Sequence, residues 1–127
     1  KPRGGGDEIS CHAEIDATPG WEAYYCRWTR AWDSPAPDTL TISDDYELVK
    51  GDAVEFYWNT KLPVTIAGRR VTIIGRRGQV ILTGPADCAV RVEELPLLDG
   101  EAQRRIAFRR EGRKGQIVVQ ARLSLLQ

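Results

Sequence analysis

Thr39-Leu40-Thr41-Ile42-Ser43-Asp44-Asp45-Tyr46-Glu47-Leu48 is the stretch that decides the fold. On an extended backbone Leu40, Ile42, Asp44, Tyr46 and Leu48 share one face, and Thr39, Thr41, Ser43, Asp45 and Glu47 share the other. A period of two marks a strand with one side in a core and one in water. Asp44 breaks the pattern, because a carboxylate on the apolar face needs partners. We expect it at a bend or bulge, with its oxygens bonded to backbone N–H groups.

Outward from this strand the same period recurs in both directions. Upstream, Ile9–Ile15 ends at the turn Thr18-Pro19-Gly20. Glu22–Trp32 follows, rich in rings at Tyr24, Tyr25, Trp28 and Trp32, and Ser34-Pro35-Ala36-Pro37 is expected to end it because proline cannot donate to a ladder. Downstream of the Lys50-Gly51-Asp52 turn, Val54, Phe56 and Trp58 alternate with Glu55, Tyr57 and Asn59. Four short strands come next, Val64–Ala67, Val71–Ile74, Val80–Thr83 and Cys88–Glu94, separated by glycine turns. Arg105–Arg109 and Gln116–Leu125 flank Glu111–Gly115 and suggest a closing hairpin, with Ile117, Val119, Ala121, Leu123 and Leu125 inward. Only Asp99–Arg104 suits a helical turn. The fold class is all-β, an antiparallel β-sandwich of about ten short strands. Residues 1–8, with Gly4-Gly5-Gly6, are expected to form a flexible arm, and residues 9–127 a single sandwich domain.

A chain of 127 residues is one domain in size and can be stable without a metal or disulfide. Cys11, Cys26 and Cys88 are odd in number, lack metal-ligand spacing, and are expected to be small buried hydrophobes. No apolar run reaches the ~18 residues of a membrane span, so no membrane partner is expected. The absence of methionine, even at position 1, implies a piece of a longer protein. Its location follows from the parent: periplasmic or secreted with a signal peptide, otherwise cytoplasmic.

Net charge is zero but unevenly laid out: residues 1–60 carry 5 basic and 12 acidic side chains, residues 61–127 carry 13 and 6. If the two halves interleave, they neutralise one another across the sheets. The competing arrangement is a basic face for an acidic polymer, drawn from Arg69, Arg70, Arg76, Arg77, Arg104, Arg105, Arg109, Arg110, Arg113 and Lys114. A pI of about 6.8 and the lack of a recognition motif argue against nucleic acid.

His12, Glu14 and Asp16 fall on one strand face and invite a metal, yet a lone histidine beside carboxylates is a poor zinc set. Asp44 and Asp45 point to opposite faces and so cannot flank one glycosidic bond. Trp21, Tyr24 and Tyr25 suit a sugar-stacking platform, though core packing or a domain interface claims such rings more often. No convincing Ser-His-Asp or Cys-His arrangement can be built around the single histidine.

From about Ala13 to Leu125 the succession of segments resembles the C-terminal β-sandwich domain of heparinase II/III-like polysaccharide lyases. The resemblance rests on Ile15-Asp16-Ala17-Thr18, on Tyr24-Tyr25-Cys26-Arg27-Trp28-Thr29-Arg30, on Leu40–Leu48, and on Val54–Trp58 followed by Thr60 and Val64. It implies a bacterial parent in which an upstream helical toroid partners the β-domain and acidic polysaccharide is cleaved by β-elimination. A base then removes the proton α to the uronate carboxylate, and an acid, often tyrosine, protonates the leaving oxygen. The family's catalytic tyrosine and histidine, and its zinc site of histidines and an aspartate, lie upstream of the matched segment. No catalytic, cofactor-binding or metal residue is therefore carried over to this chain, and no substrate-binding residue is assigned. The resemblance implies a non-catalytic module that shapes the substrate cleft. Two alternatives stay open: a free-standing carbohydrate-binding module, and a structural domain that forms a homodimer through an edge strand.

Overall fold

In a computed structural model, described over residues 2–96, 100 and 102–125, eleven strands and one short 3-10 turn, Thr18–Gly20, make up the chain. The strands are β1 (Arg3–Gly6), β2 (Cys11–Asp16), β3 (Tyr25–Ala36), β4 (Thr39–Leu48), β5 (Ala53–Thr60), β6 (Val64–Ala67), β7 (Arg70–Ile74), β8 (Gly78–Thr83), β9 (Ala89–Pro96), β10 (Ala102–Glu111) and β11 (Lys114–Leu125). Eight form one sheet in the order β1-β2-β3-β4-β11-β8-β7-β6, and three form a second, β5-β10-β9. All pairings are antiparallel, which is the sandwich that the alternation implies.

The inner faces meet where the period of two places apolar side chains. Ile42, Tyr46 and Leu48 of β4, Ile117 and Val119 of β11, Val71 and Ile73 of β7 and Leu82 of β8 share one core with Val54 and Phe56 of β5 and Ile106 and Phe108 of β10. Each fully buried side chain of this kind contributes about 1.5–3 kcal/mol relative to exposure. Phe56 and Phe108 meet edge to face with ring centroids 6.2 Å apart.

Several expectations are corrected. The glycine run does not form a flexible arm: Arg3–Gly6 pairs with β2 as a strand, Gly6 opposite Cys11. Glycine is required there because a Cβ on Gly6, at φ +156°, would lie 2.5 Å from Ser10 O, and one on Gly4 would lie 2.8 Å from His12 O. Asp7 closes the turn by accepting the N–H groups of Ile9 and Ser10, each at 2.8 Å. Pro35 does not end β3; the strand runs on to Ala36, and the ladder shifts register between Asp33 and Ala36.

The closing pair is no hairpin either. Strand β10 lies in the small sheet between β5 and β9, whereas β11 crosses to the large sheet between β4 and β8. Leu123 and Leu125 keep the inward phase of β11 but are 41% and 68% exposed, because β11 outruns the cover of the small sheet. Of the segment expected to turn as a helix, Ala102–Arg104 belongs to β10, and Asp99 and Glu101 lie outside the described residues. Cys88 is buried as expected, but Cys11 and Cys26 are exposed, and all three are free thiols.

Candidate functional site

The difference in sheet width builds a cleft. Strand β5 is an edge of the three-stranded sheet, and beside it β3 and β4 of the wider sheet present their inner faces. Trp21, Tyr25, Trp28, Arg30, Asp44, Val54, Glu55 and Tyr57 enclose about 350 Å³ there. The period of two along β3 sets Trp28, Arg30 and Trp32 on one face, and the register places Arg30 opposite Asp44.

Asp44, only 3% exposed, lies in regular register opposite Arg30, and among the described residues it accepts from side chains and from no backbone N–H. Its partner is Arg30, which donates from Nε to Oδ1 at 2.6 Å and from Nη2 to Oδ2 at 2.7 Å. Trp28 Nε1 donates to the same Oδ1 at 3.1 Å. The bidentate fork satisfies both carboxylate oxygens, which is how a carboxylate survives on an apolar face. The Arg30 guanidinium lies between rings, 5.6 Å from Trp28, 6.0 Å from Trp32 and 5.2 Å from Phe56.

The mouth of the cleft is aromatic. Trp28 stacks on Tyr25 at 5.1 Å and meets Trp21 edge-on at 5.8 Å, and Tyr24 lies 6.5 Å from Trp21. Trp21 and Tyr24 are each half exposed. On the opposite wall Arg91 donates to Glu55 Oε2 at 2.7 Å and Arg109 to Oε1 at 3.1 Å, which holds the Glu55 carboxyl below its usual range. Arg105 covers the Tyr57 ring at 4.6 Å. Burial pushes the Tyr25 and Tyr57 hydroxyls up, so both stay protonated as hydrogen-bond donors near neutral pH. The cleft thus offers ring faces and donors.

The other candidates fall elsewhere. Asp45 faces out on β4 and pairs with Arg27. His12 Nδ1 lies 2.5 Å from Asp33 Oδ1, and Nε2 lies 3.5 Å from Glu14 Oε2. Arg3 holds the other Glu14 oxygen at 2.6 Å, and Asp16 accepts the Thr18 N–H at 3.0 Å instead of joining His12. Among the described residues no three His, Cys, Asp or Glu side chains come together to hold a metal. These residues do not fit the zinc set of histidines and an aspartate that the resemblance implies for its family.

The hydrogen bond that His12 Nδ1–H donates to the Asp33 carboxylate is the main cause that raises the His12 pKa. The stabilisation is therefore complete below the unfolded value of about 6.5 and is lost as pH rises through the folded value. Amide exchange at Gly5 and Cys11, corrected for its intrinsic pH dependence, should quicken across that window and lose the effect in His12→Gln. An unchanged profile in the variant would remove His12 as the cause.

Charge separation survives folding in part. Arg91 and Arg109 meet Glu55, and Arg113 meets Asp52, so the two halves do neutralise one another around the small sheet. Arg110 pairs with Asp87, and Arg104 with Glu94 at 3.9 Å. Arg69, Arg70, Arg76 and Arg77 are instead carried away from the acidic strands, on the β7–β8 end of the large sheet.

No protein-family model matches the sequence, and no curated protein matches it. Among solved structures, heparan sulfate lyase HepC from Pedobacter heparinus superposes at a TM-score of 0.80 with 11% identity, over 100% of this chain and 22% of the lyase chain. A mutant of that lyase from the same organism gives 0.76 and 9% over the same shares. This chain has the fold of part of a heparan sulfate lyase. It spans 22% of the length of the lyase chain that it matches. The match takes in β1, the strand that sequence alone reads as an arm. At 11% identity the shared property is the strand arrangement.

Proposed function

We propose that this chain is the C-terminal β-sandwich module of a heparinase II/III-like polysaccharide lyase whose parent cleaves an acidic polysaccharide by β-elimination. The observation that carries the proposal is the superposition of the whole chain on 22% of a heparan sulfate lyase. In this role the module packs on an upstream helical toroid and shapes one wall of the substrate cleft. The half-exposed rings of Trp21 and Tyr24 are the natural contact, since aromatic surface of that size gains most from cover.

The module itself is non-catalytic and carries no cofactor or metal of its own. β-Elimination needs a base that can take a proton and an acid placed across from it. In the aromatic cleft Asp44 has both oxygens engaged by Arg30 and Trp28, and Glu55 is held ionised between two arginines. The purified 127-residue chain incubated with heparan sulfate should release no unsaturated uronate, read by its ultraviolet absorbance. Release of such products would end the non-catalytic assignment. The parent gene product upstream of Lys1 should encode a long helical region. A start codon immediately before Lys1 would overturn the module and leave a free-standing carbohydrate-binding domain.

A further inference from the structure

Between Glu55 and Asp87 the chain contains no acidic residue, and Lys61, Arg69, Arg70, Arg76 and Arg77 all fall inside that interval. The fold stacks this interval as β6, β7 and β8 at one end of the eight-stranded sheet, and the neighbouring β11 adds Arg122. Arg69, Arg70, Arg76, Arg77 and Arg122 are exposed, and among the described residues none of these five has a hydrogen bond, ion pair or ring contact. Arg3, Arg27, Arg30, Arg91, Arg104, Arg109, Arg110 and Arg113 each meet a carboxylate, and Arg105 lies over the Tyr57 ring, so the exposed arginines without a partner gather on this flank. Like charges held together without counter-charge disfavour the compact state, and the arrangement becomes favourable when an anion lies across it.

The register gives the flank a shape. Arg70 stands opposite Thr83 and Thr83 opposite Gln120, while Arg122 stands opposite Ile81. Because the inward positions of these strands are Val71, Leu82 and Ala121, Arg70 and Arg122 project from the same outer face. Two strand spacings and a two-residue offset put their Cα atoms roughly 12 Å apart. Arg69 and Arg70 also border a hollow of about 360 Å³ with Ala67 and Thr83, while Arg76 and Arg77 lie at the far end of β7. The guanidinium groups are thus spread along a face and do not converge on a point. A small anion cannot touch them together, but an extended polyanion can, with the hydroxyl of Thr83 and the amide of Gln120 between the charges. The planar guanidinium fork donates paired N–H groups to the oxygens of a carboxylate or another oxyanion.

We infer that the β6–β7–β8 flank, completed by Arg122, is a binding surface for an anionic polysaccharide chain. The charge layout carries the polyanion; the choice of polysaccharide rests on the lyase reading. Among the described residues no exposed tryptophan, tyrosine or phenylalanine stands on this face to stack a nucleobase, which separates it from single-stranded nucleic-acid surfaces. In a lyase, such a flank would hold the polymer outside the reacting segment and raise its local concentration.

The test is calorimetric titration of the 127-residue chain with heparan sulfate and with uncharged dextran, at low and at high salt. Heparan sulfate should bind, dextran should not, and affinity should fall at least about tenfold on raising salt, because binding releases counterions. The double variant Arg70→Ala with Arg122→Ala should lose about tenfold more while keeping its circular dichroism, since both side chains are exposed. Absence of heparan sulfate binding, or binding that survives the double variant and disappears in Trp21→Ala, would overturn the proposal. Equal affinity for single-stranded DNA would overturn the choice of polysaccharide. Salt-sensitive self-association abolished by the double variant would reassign the flank to a second copy of this chain and its acidic β2–β4 end. The lyase reading stands or falls on the sequence upstream of Lys1, so the two failures are separable.

Discussion

Asp44→Ala should lower the stability of this protein by about 3 kcal/mol, the low end of the range for breaking a buried ion pair by removing one partner. The loss comes from what remains. Arg30 would keep its charge among the rings of Trp28, Trp32 and Phe56 with no carboxylate to accept from Nε and Nη2. The low end is appropriate because the Arg30 side chain is 27% exposed and water can reach part of the guanidinium. Trp28 Nε1 would lose its acceptor as well. Replacing both charges, Arg30→Met with Asp44→Leu, should recover most of the loss, because two apolar groups of similar volume leave no ion unpaired. Urea denaturation of the three proteins reads this directly: the midpoint should fall in Asp44→Ala and return in the double variant, with the slope unchanged. A single-variant loss below about 1 kcal/mol would show that the pair is solvated and that the cleft floor is not dry.

Asp44 also shows how far the sequence was legible. Its place on the inner face of β4, and Asp45 outside, follow from alternation alone. Its partner does not follow, because pairing depends on which strand lies beside β4, and strand order is a long-range property. A local sign did exist: Arg30 falls between Trp28 and Trp32 at period two, a second charge on an apolar face. Two such anomalies in neighbouring strands call for each other. The glycine run misleads for a related reason, since glycine serves both disorder and close backbone approach, and only the proximity of Ser10 and Cys11 to Gly6 decides between them. The β10–β11 connection looks like a hairpin because a turn signal is the same whether the chain returns along its own sheet or crosses to the other. The basic flank is legible in part, as an interval from Glu55 to Asp87 without an acidic residue; the aromatic cleft arises from the unequal widths of the sheets, which no local pattern encodes.

Phe108→Ala should cost about 4 kcal/mol, the middle of the range for deleting a buried phenyl ring. Phe108 is fully buried on the inner face of β10, in edge-to-face contact with Phe56. A second residue sharpens the prediction. Gly84 is packed so closely beneath the ring that a Cβ placed on it would lie 2.4 Å from Phe108 Cδ1 and 2.6 Å from Cε1. Gly84→Ala alone should therefore cost about 2 kcal/mol through overpacking, since a buried ring in an interdigitated core has no free direction to move. In the Phe108→Ala background that clash is gone, and the added methyl occupies part of the space the ring vacates. The double variant should then be no less stable than Phe108→Ala alone, so the coupling between the sites is favourable and about as large as the Gly84→Ala loss. Denaturation midpoints for the two single variants and the double close the cycle. Losses that simply add would mean that the ring moves aside at little cost, and that this junction of the two sheets is looser than its geometry implies.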